Sequence, residues 1–132
     1  MLSVNDIKGL YAITPTPSKA GAQRWDATDT VDLDELARLT EALVQSGVDG
    51  LVAMGTTGEC ATLTNSEWEQ AAACVIETVR RRVPLFVGTT ALGTHEIVRR
   101  NRFIQDLGAD GTMLGLPMWQ PCTLDMAVQF YA

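Results

Sequence analysis

Residues 49–59 read Asp49-Gly50-Leu51-Val52-Ala53-Met54-Gly55-Thr56-Thr57-Gly58-Glu59. The apolar run at 51–54 has no alternation and ends in glycines and threonines, a pattern typical of a strand that is covered on both faces of a parallel sheet. The loop offers close backbone approach, convergent N–H groups and two hydroxyls, which suit a small anion. Ligands of parallel α/β folds lie at the carboxyl ends of strands, so this loop is the first candidate site. An ordinary strand-to-helix turn is the alternative interpretation.

The composition is that of one globular domain. The chain has 132 residues, enough for a single core and too few for two. Ten basic and sixteen acidic residues give a net charge of −6 and form no extended basic patch, so nucleic acid is not an expected partner. No apolar run approaches the roughly 18 residues of a membrane span, and no signal peptide opens the sequence. We therefore expect a cytoplasmic protein without membrane contact.

Cysteine and histidine give no indication of a metal site. Cys60, Cys74 and Cys122 are odd in number and lack the Cys-x-x-Cys spacing, which favours reduced thiols over disulfides or zinc binding. Cys60 and Cys122 lie near predicted strand ends, where a reactive thiol is the less favoured alternative. His95, the sole histidine, is expected to be exposed in the first turn of a helix, so no metal is predicted.

The chain repeats one strand–helix unit four times. The predicted strands are residues 9–14, 51–54, 85–88 and 111–116, and each is followed by a helical pattern. The helices are expected to begin after four polar residues, Asp32, Thr64, Thr94 and Thr123. Thr64 with Glu67 fits the capping box, and Gly47 and Gly108 provide helix ends.

This alternation predicts a right-handed parallel α/β array. Four units in 132 residues are about 33 residues each, close to the roughly 31 of an eight-unit barrel. The prediction is therefore half of a (β/α)₈ TIM barrel. An open doubly wound sheet is the alternative, but Thr14-Pro15-Thr16-Pro17 follows the first strand where a dinucleotide fold requires Gly-x-Gly-x-x-Gly.

Several of these strand ends carry motifs of a known family. Residues 55–59, Gly-Thr-Thr-Gly-Glu, together with Ile13-Thr14-Pro15, resemble the dihydrodipicolinate synthase and N-acetylneuraminate lyase family, which are pyruvate-dependent class I aldolases on a (β/α)₈ barrel. Residues 58–64, 87–90 and 115–119 closely resemble its hydratase-aldolase branch, which cleaves benzylidenepyruvates in aromatic hydrocarbon degradation. The likeness runs along essentially the whole chain. It implies that residues 1–132 are the N-terminal half of the barrel, strands one to four with their helices, the last helix being cut short.

The resemblance implies a role for each matched residue. Gly55, Thr57 and Gly58 hold the carboxylate of pyruvate, and the Thr56 hydroxyl takes part in a proton relay. Trp119 stacks on the aryl ring of the substrate. Two further threonines, Thr14 and Thr89, line the barrel mouth. Relatives in the hydratase-aldolase branch often carry an aromatic residue where this chain has Thr57, which brings it nearer to the wider family. No cofactor is implied, and the full-length family forms homo-oligomers, typically tetramers.

Two groups that the family's chemistry needs are missing from the sequence. A Schiff base on pyruvate requires a lysine that ends strand six, and a tyrosine that ends strand five moves the proton. The only lysines are Lys8 and Lys19, and neither they nor Tyr11 and Tyr131 match those positions. We therefore expect the 132-residue chain to be inactive alone. The alternatives are an enzyme like dihydrodipicolinate synthase or N-acetylneuraminate lyase, or a non-catalytic fragment that binds carboxylates or self-assembles.

Overall fold

A computed structural model describes residues 2–118 and 121–132. Four strands alternate with four α-helices, after a short 3₁₀-helix at Val4–Asp6. The strands are β1 (Tyr11–Ile13), β2 (Gly50–Ala53), β3 (Leu85–Gly88) and β4 (Gly111–Met113); the helices are α1 (Leu33–Gln45), α2 (Asn65–Val79), α3 (Thr94–Leu107) and α4 (Leu124–Tyr131). In the part of the chain that is described, no helix combines the length and the apolar character that a bilayer crossing demands.

All four strands are parallel and lie in the order β1-β2-β3-β4. Each strand therefore pairs with the next one along the chain, as the repeated βα unit predicts. β1 and β4 lie at the two edges of this sheet. Because the strands are parallel, their carboxyl ends and the loops that follow them share one side of the sheet.

A repeated aspartate fixes the start of β2 and of β4. The Asp49 carboxylate accepts a hydrogen bond from the Leu10 amide at 2.7 Å, and the Asp110 carboxylate accepts one from the Leu85 amide at 3.0 Å. The glycine after each aspartate leaves room for an aromatic ring of the neighbouring strand: a Cβ on Gly50 would lie 2.1 Å from Tyr11, and one on Gly111 2.6 Å from Phe86. The Val-Asp-Gly and Ala-Asp-Gly stretches thus set the strand register, at the amino ends of the strands, away from the candidate loop.

The core lies between one face of the sheet and the helices. Leu51, Ala53 and Val87 are fully buried there against Trp68 and Val75 of α2. The opposite face is less covered, because Val52 and Phe86 are half-exposed and Ile13 is 53% exposed. Within β2 three residues are buried and Val52 is half-buried, so the predicted cover is complete on one face and partial on the other.

Helix ends follow the sequence signals with one exception. Asp32, Thr64 and Thr123 each accept a backbone N–H as predicted, and Gly108 adopts a left-handed conformation after α3. Thr94, in contrast, is the first residue of α3 and not its cap, a position that belongs to Gly93.

Helix α2 ends at Val79 because Arg80 is left-handed, several residues before Pro84. The Arg82 guanidinium donates to the Thr78 and Val79 carbonyls, so this arginine satisfies acceptors at the C-terminus of the helix.

Candidate functional site

The loop after β2 turns its glycines inward and its threonines outward. Gly55 and Gly58 are buried, whereas Thr56 and Thr57 are exposed. The turn begins at Met54, whose φ of 56° lies in the left-handed region and ends the strand one residue before the predicted boundary. The two hydroxyls that the sequence nominates are therefore accessible to a ligand at the carboxyl end of the sheet.

The loop leaves a row of backbone donors without a protein acceptor. The Glu59 amide donates to the Thr56 carbonyl at 3.1 Å, and the Cys60 amide donates to the Gly55 carbonyl at 3.3 Å. Within residues 2–118 and 121–132, by contrast, nothing accepts a hydrogen bond from the amides of residues 56–58 or from the hydroxyls of Thr56 and Thr57. Successive free N–H groups of this kind form an anion-binding concavity, with no need for a cation.

Close packing forces glycine at two places in this site. A Cβ on Gly58 would lie 2.8 Å from the Cα and N atoms of Met54, and one on Gly88 would lie 1.8 Å from the Met54 carbonyl oxygen. Neither glycine has a positive φ, so the requirement is for space. In addition, the Thr16 hydroxyl donates to the Gly58 carbonyl at 2.7 Å. The loop is thus pressed against β3 and tied to the segment after β1.

Thr14 follows β1 and Thr89 follows β3, on either side of β2 and at the same edge of the sheet, but both are almost completely buried. The Thr89 hydroxyl lies 2.5 Å from the Thr112 hydroxyl, which itself donates to the Val87 carbonyl. The proton of Thr89 is therefore directed at Thr112. The Thr14 amide donates to Val52 in the ladder, and its carbonyl lies against Gly58. These two residues are in place to support the loop; their role as ligands stays a prediction.

Other sequence candidates lie elsewhere. Trp119 falls outside the described residues. Lys8 is exposed before β1, at the amino end of the sheet, and the Lys19 ammonium donates to the Asp29 carbonyl. His95 is exposed in the first turn of α3, as predicted. The loops after the strands therefore bring together residues 55–58 with Thr14 and Thr89, and neither lysine joins them.

Cys60 lies directly behind the loop and is buried, with 4% of its surface exposed. Burial raises the pKa of its thiol, although the Arg100 charge acts in the opposite direction. The thiol is thus protonated at neutral pH and poorly suited to nucleophilic attack.

Arg100 is a residue that the sequence analysis missed. Arg99, Arg100 and Arg102 stand close together in the sequence, yet Arg100 is 4% exposed and packs over Trp68. The sequence does contain a signal for its burial, because Arg100 has helical spacing to Ile97 and Ile104. All three are buried on one stripe of α3. Its guanidinium donates to the Cys60 carbonyl, which places it in contact with the candidate loop.

A separate groove of about 980 Å³ lies between α1 and α2. Two of its arginines are paired with carboxylates, Arg38 with Glu35 and Arg82 with Glu41, and the groove borders the outer helices. Because ligands of parallel α/β folds sit at strand carboxyl ends, the loop after β2 is the better candidate.

A (β/α) array with its candidate loops at the carboxyl ends of parallel strands places the chain in a class, the α/β proteins whose ligand sites lie in strand-end loops. The comparison with known families is specific: the dihydrodipicolinate synthetase family matches residues 19–132. The chain belongs to this family. The resemblance stated from the strand-end motifs is thereby confirmed.

Several curated relatives carry the hydratase-aldolase name. The chain is 54% identical to the trans-O-hydroxybenzylidenepyruvate hydratase-aldolase of Pseudomonas putida, over 98% of this chain and 39% of the relative. It is 36% identical to the 4-hydroxy-tetrahydrodipicolinate synthase of Persephonella marina, over 94% of this chain and 40% of the relative. The chain thus spans about two fifths of the length of the curated relatives that it matches.

Solved structures give the same result for the fold. The structure of PhdJ bound to a substrate intermediate matches with a TM-score of 0.94 at 45% identity, over 98% of this chain and 40% of that one. A crystal structure of dihydrodipicolinate synthase matches with a TM-score of 0.82 at 31% identity, over 94% and 40% of the two chains. The four βα units are therefore half of a (β/α)₈ barrel, as predicted.

Proposed function

We propose that the protein containing this chain is a pyruvate-dependent hydratase-aldolase, which cleaves an aromatic benzylidenepyruvate to an aryl aldehyde and pyruvate. The observation that carries the proposal is the row of unpaired amides at residues 56–58 beside two exposed threonine hydroxyls. The names of the relatives at 54% and 48% identity support the substrate class, since both act on aryl-substituted pyruvates by name.

The pyruvyl carboxylate binds at this loop. The amides of residues 56–58 and the Thr57 hydroxyl donate to its oxygens, which is enough to hold an anion without a lysine or arginine. Burial of Gly55 and Gly58 keeps the loop backbone fixed, so little ordering is needed when the ligand arrives. Thr57 therefore acts in binding, and its loss weakens the affinity for the 2-keto acid.

Thr56 relays a proton. Addition of water across the substrate's double bond gives a hydroxyl that must lose its proton as the carbon–carbon bond breaks and the aldehyde leaves. An exposed hydroxyl next to the bound carboxylate can accept that proton while it passes its own onward, because a hydroxyl both donates and accepts. It is too weak a base to act alone, so Thr56 is one link of a relay.

The amine that forms the Schiff base is proposed to come from outside these 132 residues. Lys8 lies at the opposite end of the sheet and Lys19 is in a polar loop, where each is exposed to solvent. The isolated chain is therefore expected to bind a 2-keto acid weakly and to cleave nothing. Stacking of the aryl ring on Trp119, a homo-oligomeric state and a cytoplasmic location stay predictions.

The test uses the longest natural protein that contains this chain. With pyruvate and borohydride we expect a mass gain on one lysine, and an aryl aldehyde as cleavage product of the conjugated substrate. Thr57→Val should raise KM about tenfold or more through the lost charge-assisted hydrogen bond, and Thr56→Val should lower kcat with a smaller effect on KM. Thr94→Val is the matched control, because Thr94 is exposed and makes no capping bond.

Two outcomes would contradict the proposal. One is the absence of any trapped lysine. The other is a Thr57→Val variant whose KM equals that of Thr94→Val. A second candidate, a synthase of the same family, is favoured by Thr57 itself, which resembles the wider family at that position. Condensation of pyruvate with an aliphatic aldehyde, and not with an aryl aldehyde, would select that candidate.

A further inference from the structure

Arg100 is a buried cation in a position that packing alone would give to an apolar residue. It lies between Ile97 and Ile104 on the buried stripe of α3, with 4% of its surface exposed. Its Nε donates to the Glu96 carboxylate at 3.0 Å, one turn earlier on α3. Removal of a guanidinium from water is unfavourable even when it is paired, and apolar replacements of buried ion pairs are often neutral or stabilising. Stability therefore gives no sufficient reason for an arginine here.

The guanidinium connects the segments that follow two neighbouring strands. One terminal nitrogen, Nη1, donates to the Cys60 carbonyl at 3.3 Å and to the Thr90 carbonyl at 3.2 Å. The other, Nη2, donates to the Asn65 side chain at 3.1 Å, at the first residue of α2. One planar group thus holds the loop after β2, the start of its helix and the loop after β3 in a fixed relation.

The Cys60 contact bears directly on the candidate site. The Cys60 amide donates to the Gly55 carbonyl and closes the loop, while the Cys60 carbonyl receives Arg100. The peptide groups on both sides of Cys60 are therefore held, one by the start of the loop and one by α3. Residues 56–58, whose amides no described residue accepts, lie between Gly55 and Cys60, the two residues that the loop-closing hydrogen bond joins.

The indole ring of Trp68 packs against the guanidinium of Arg100. The central carbon of the guanidinium lies 4.7 Å from the ring centre of Trp68, and the Trp68 indole donates to the Gly88 carbonyl at 3.0 Å. Gly88 is the residue that touches the Met54 carbonyl, at the start of the candidate loop. The plane of Arg100 is thus set by Trp68, which is hydrogen-bonded to the glycine that packs against the start of the loop.

We infer that Arg100 is a positioning residue, which holds the loop at residues 55–60 in the shape that presents its free amides to the 2-keto acid carboxylate. The inference rests on the proposed function for the identity of the ligand, and on the contacts above for the bracing. It predicts a local effect: loss of the guanidinium loosens the loop while the rest of the chain keeps its stability.

Arg100→Met is the informative variant, since it keeps an unbranched apolar stem on the buried stripe. Arg102→Met is the matched control, because Arg102 is exposed on the same helix. In the longest natural protein that contains this chain, hydrogen exchange of the Glu59 and Cys60 amides should speed up about tenfold in Arg100→Met, with α1 amides unchanged. KM for the 2-keto acid substrate should rise at least as much, with a smaller change in kcat.

Arg100→Lys adds a second variant that keeps the charge but loses the planar fork, and it should show the same local exchange effect to a smaller extent. If Arg100→Met does not fold, this variant and the control carry the test. Exchange at residues 59 and 60 that matches the control in the folded variants would overturn the inference. Faster loop exchange in a protein that binds no 2-keto acid would support the bracing and refute the proposed function, so the two failures are distinguishable.

Discussion

Replacement of Glu67 by glutamine is expected to destabilise the protein, although the two side chains have nearly the same shape. Glu67 lies in the first turn of α2, just after the candidate loop, and is 6% exposed. One carboxylate oxygen accepts hydrogen bonds from the amide and the hydroxyl of Thr30, both at 2.6 Å. The other accepts from the amide of Thr64 at 3.0 Å and from its hydroxyl at 2.7 Å.

The size of the effect follows from the pKa of this carboxyl group. The hydrogen bonds from Thr30, followed by those from Thr64, lower the pKa of Glu67 from 4.5 to about 2. At roughly 1.4 kcal/mol per pKa unit, the folded state favours the ionised form by about 3 kcal/mol. Glutamine turns one acceptor oxygen into an NH₂ group that faces the fixed amide donor of Thr30 or Thr64. We expect Glu67→Gln to lose about 3 kcal/mol at pH 7.

The assay is urea unfolding followed by circular dichroism at pH 7 and at pH 3, with Glu77→Gln as the exposed control on the same helix. Because the folded-state pKa of Glu67 is depressed, its contribution is complete above about pH 5 and is lost as the pH falls toward 2. The stability difference between the wild type and Glu67→Gln should therefore shrink at pH 3. A difference below about 1 kcal/mol at pH 7, or one that is the same at both pH values, would refute the reasoning.

Two further predictions concern the region around the loop. Gly88→Ala should cost about 3 kcal/mol or more, because its Cβ would meet the Met54 carbonyl at 1.8 Å, whereas Gly93→Ala, with open space around it, should cost less than about 1 kcal/mol in the same unfolding measurement. Equal losses in the two variants would contradict the packing argument. Burial raises the pKa of the Cys60 thiol, so Cys60 should react with Ellman's reagent far more slowly in the native protein than in denaturant; a native rate equal to that of an unstructured cysteine peptide would contradict its burial.

The features that the sequence predicts well are those whose causes are local. Thr64 and Glu67 form the predicted capping box because both partners lie within one helical turn. The predicted strand at 111–116 is longer than β4, which ends at Met113, and the cause is a contact with a residue that is distant in the sequence. The Gly115 amide donates to the Thr90 hydroxyl at 2.9 Å, a bond that takes it out of the ladder with β3. A side chain 25 positions away in the sequence thus decides where β4 ends, and no pattern within the strand records it.

The candidate site also combines features with local causes and features that depend on distant residues. The residues proposed to hold the carboxylate stand in one short run, 55–58, so their type and spacing by themselves indicate a candidate anion site. The residues that shape this run are distant: Thr16 lies 42 positions from Gly58, and Arg100 lies 40 positions from Cys60. These contacts satisfy two of the loop's carbonyls from outside, and among the described residues no acceptor takes the amides of residues 56–58. The proposed binding groups are therefore predictable from the sequence, whereas the shape of their loop depends on contacts that only the fold creates.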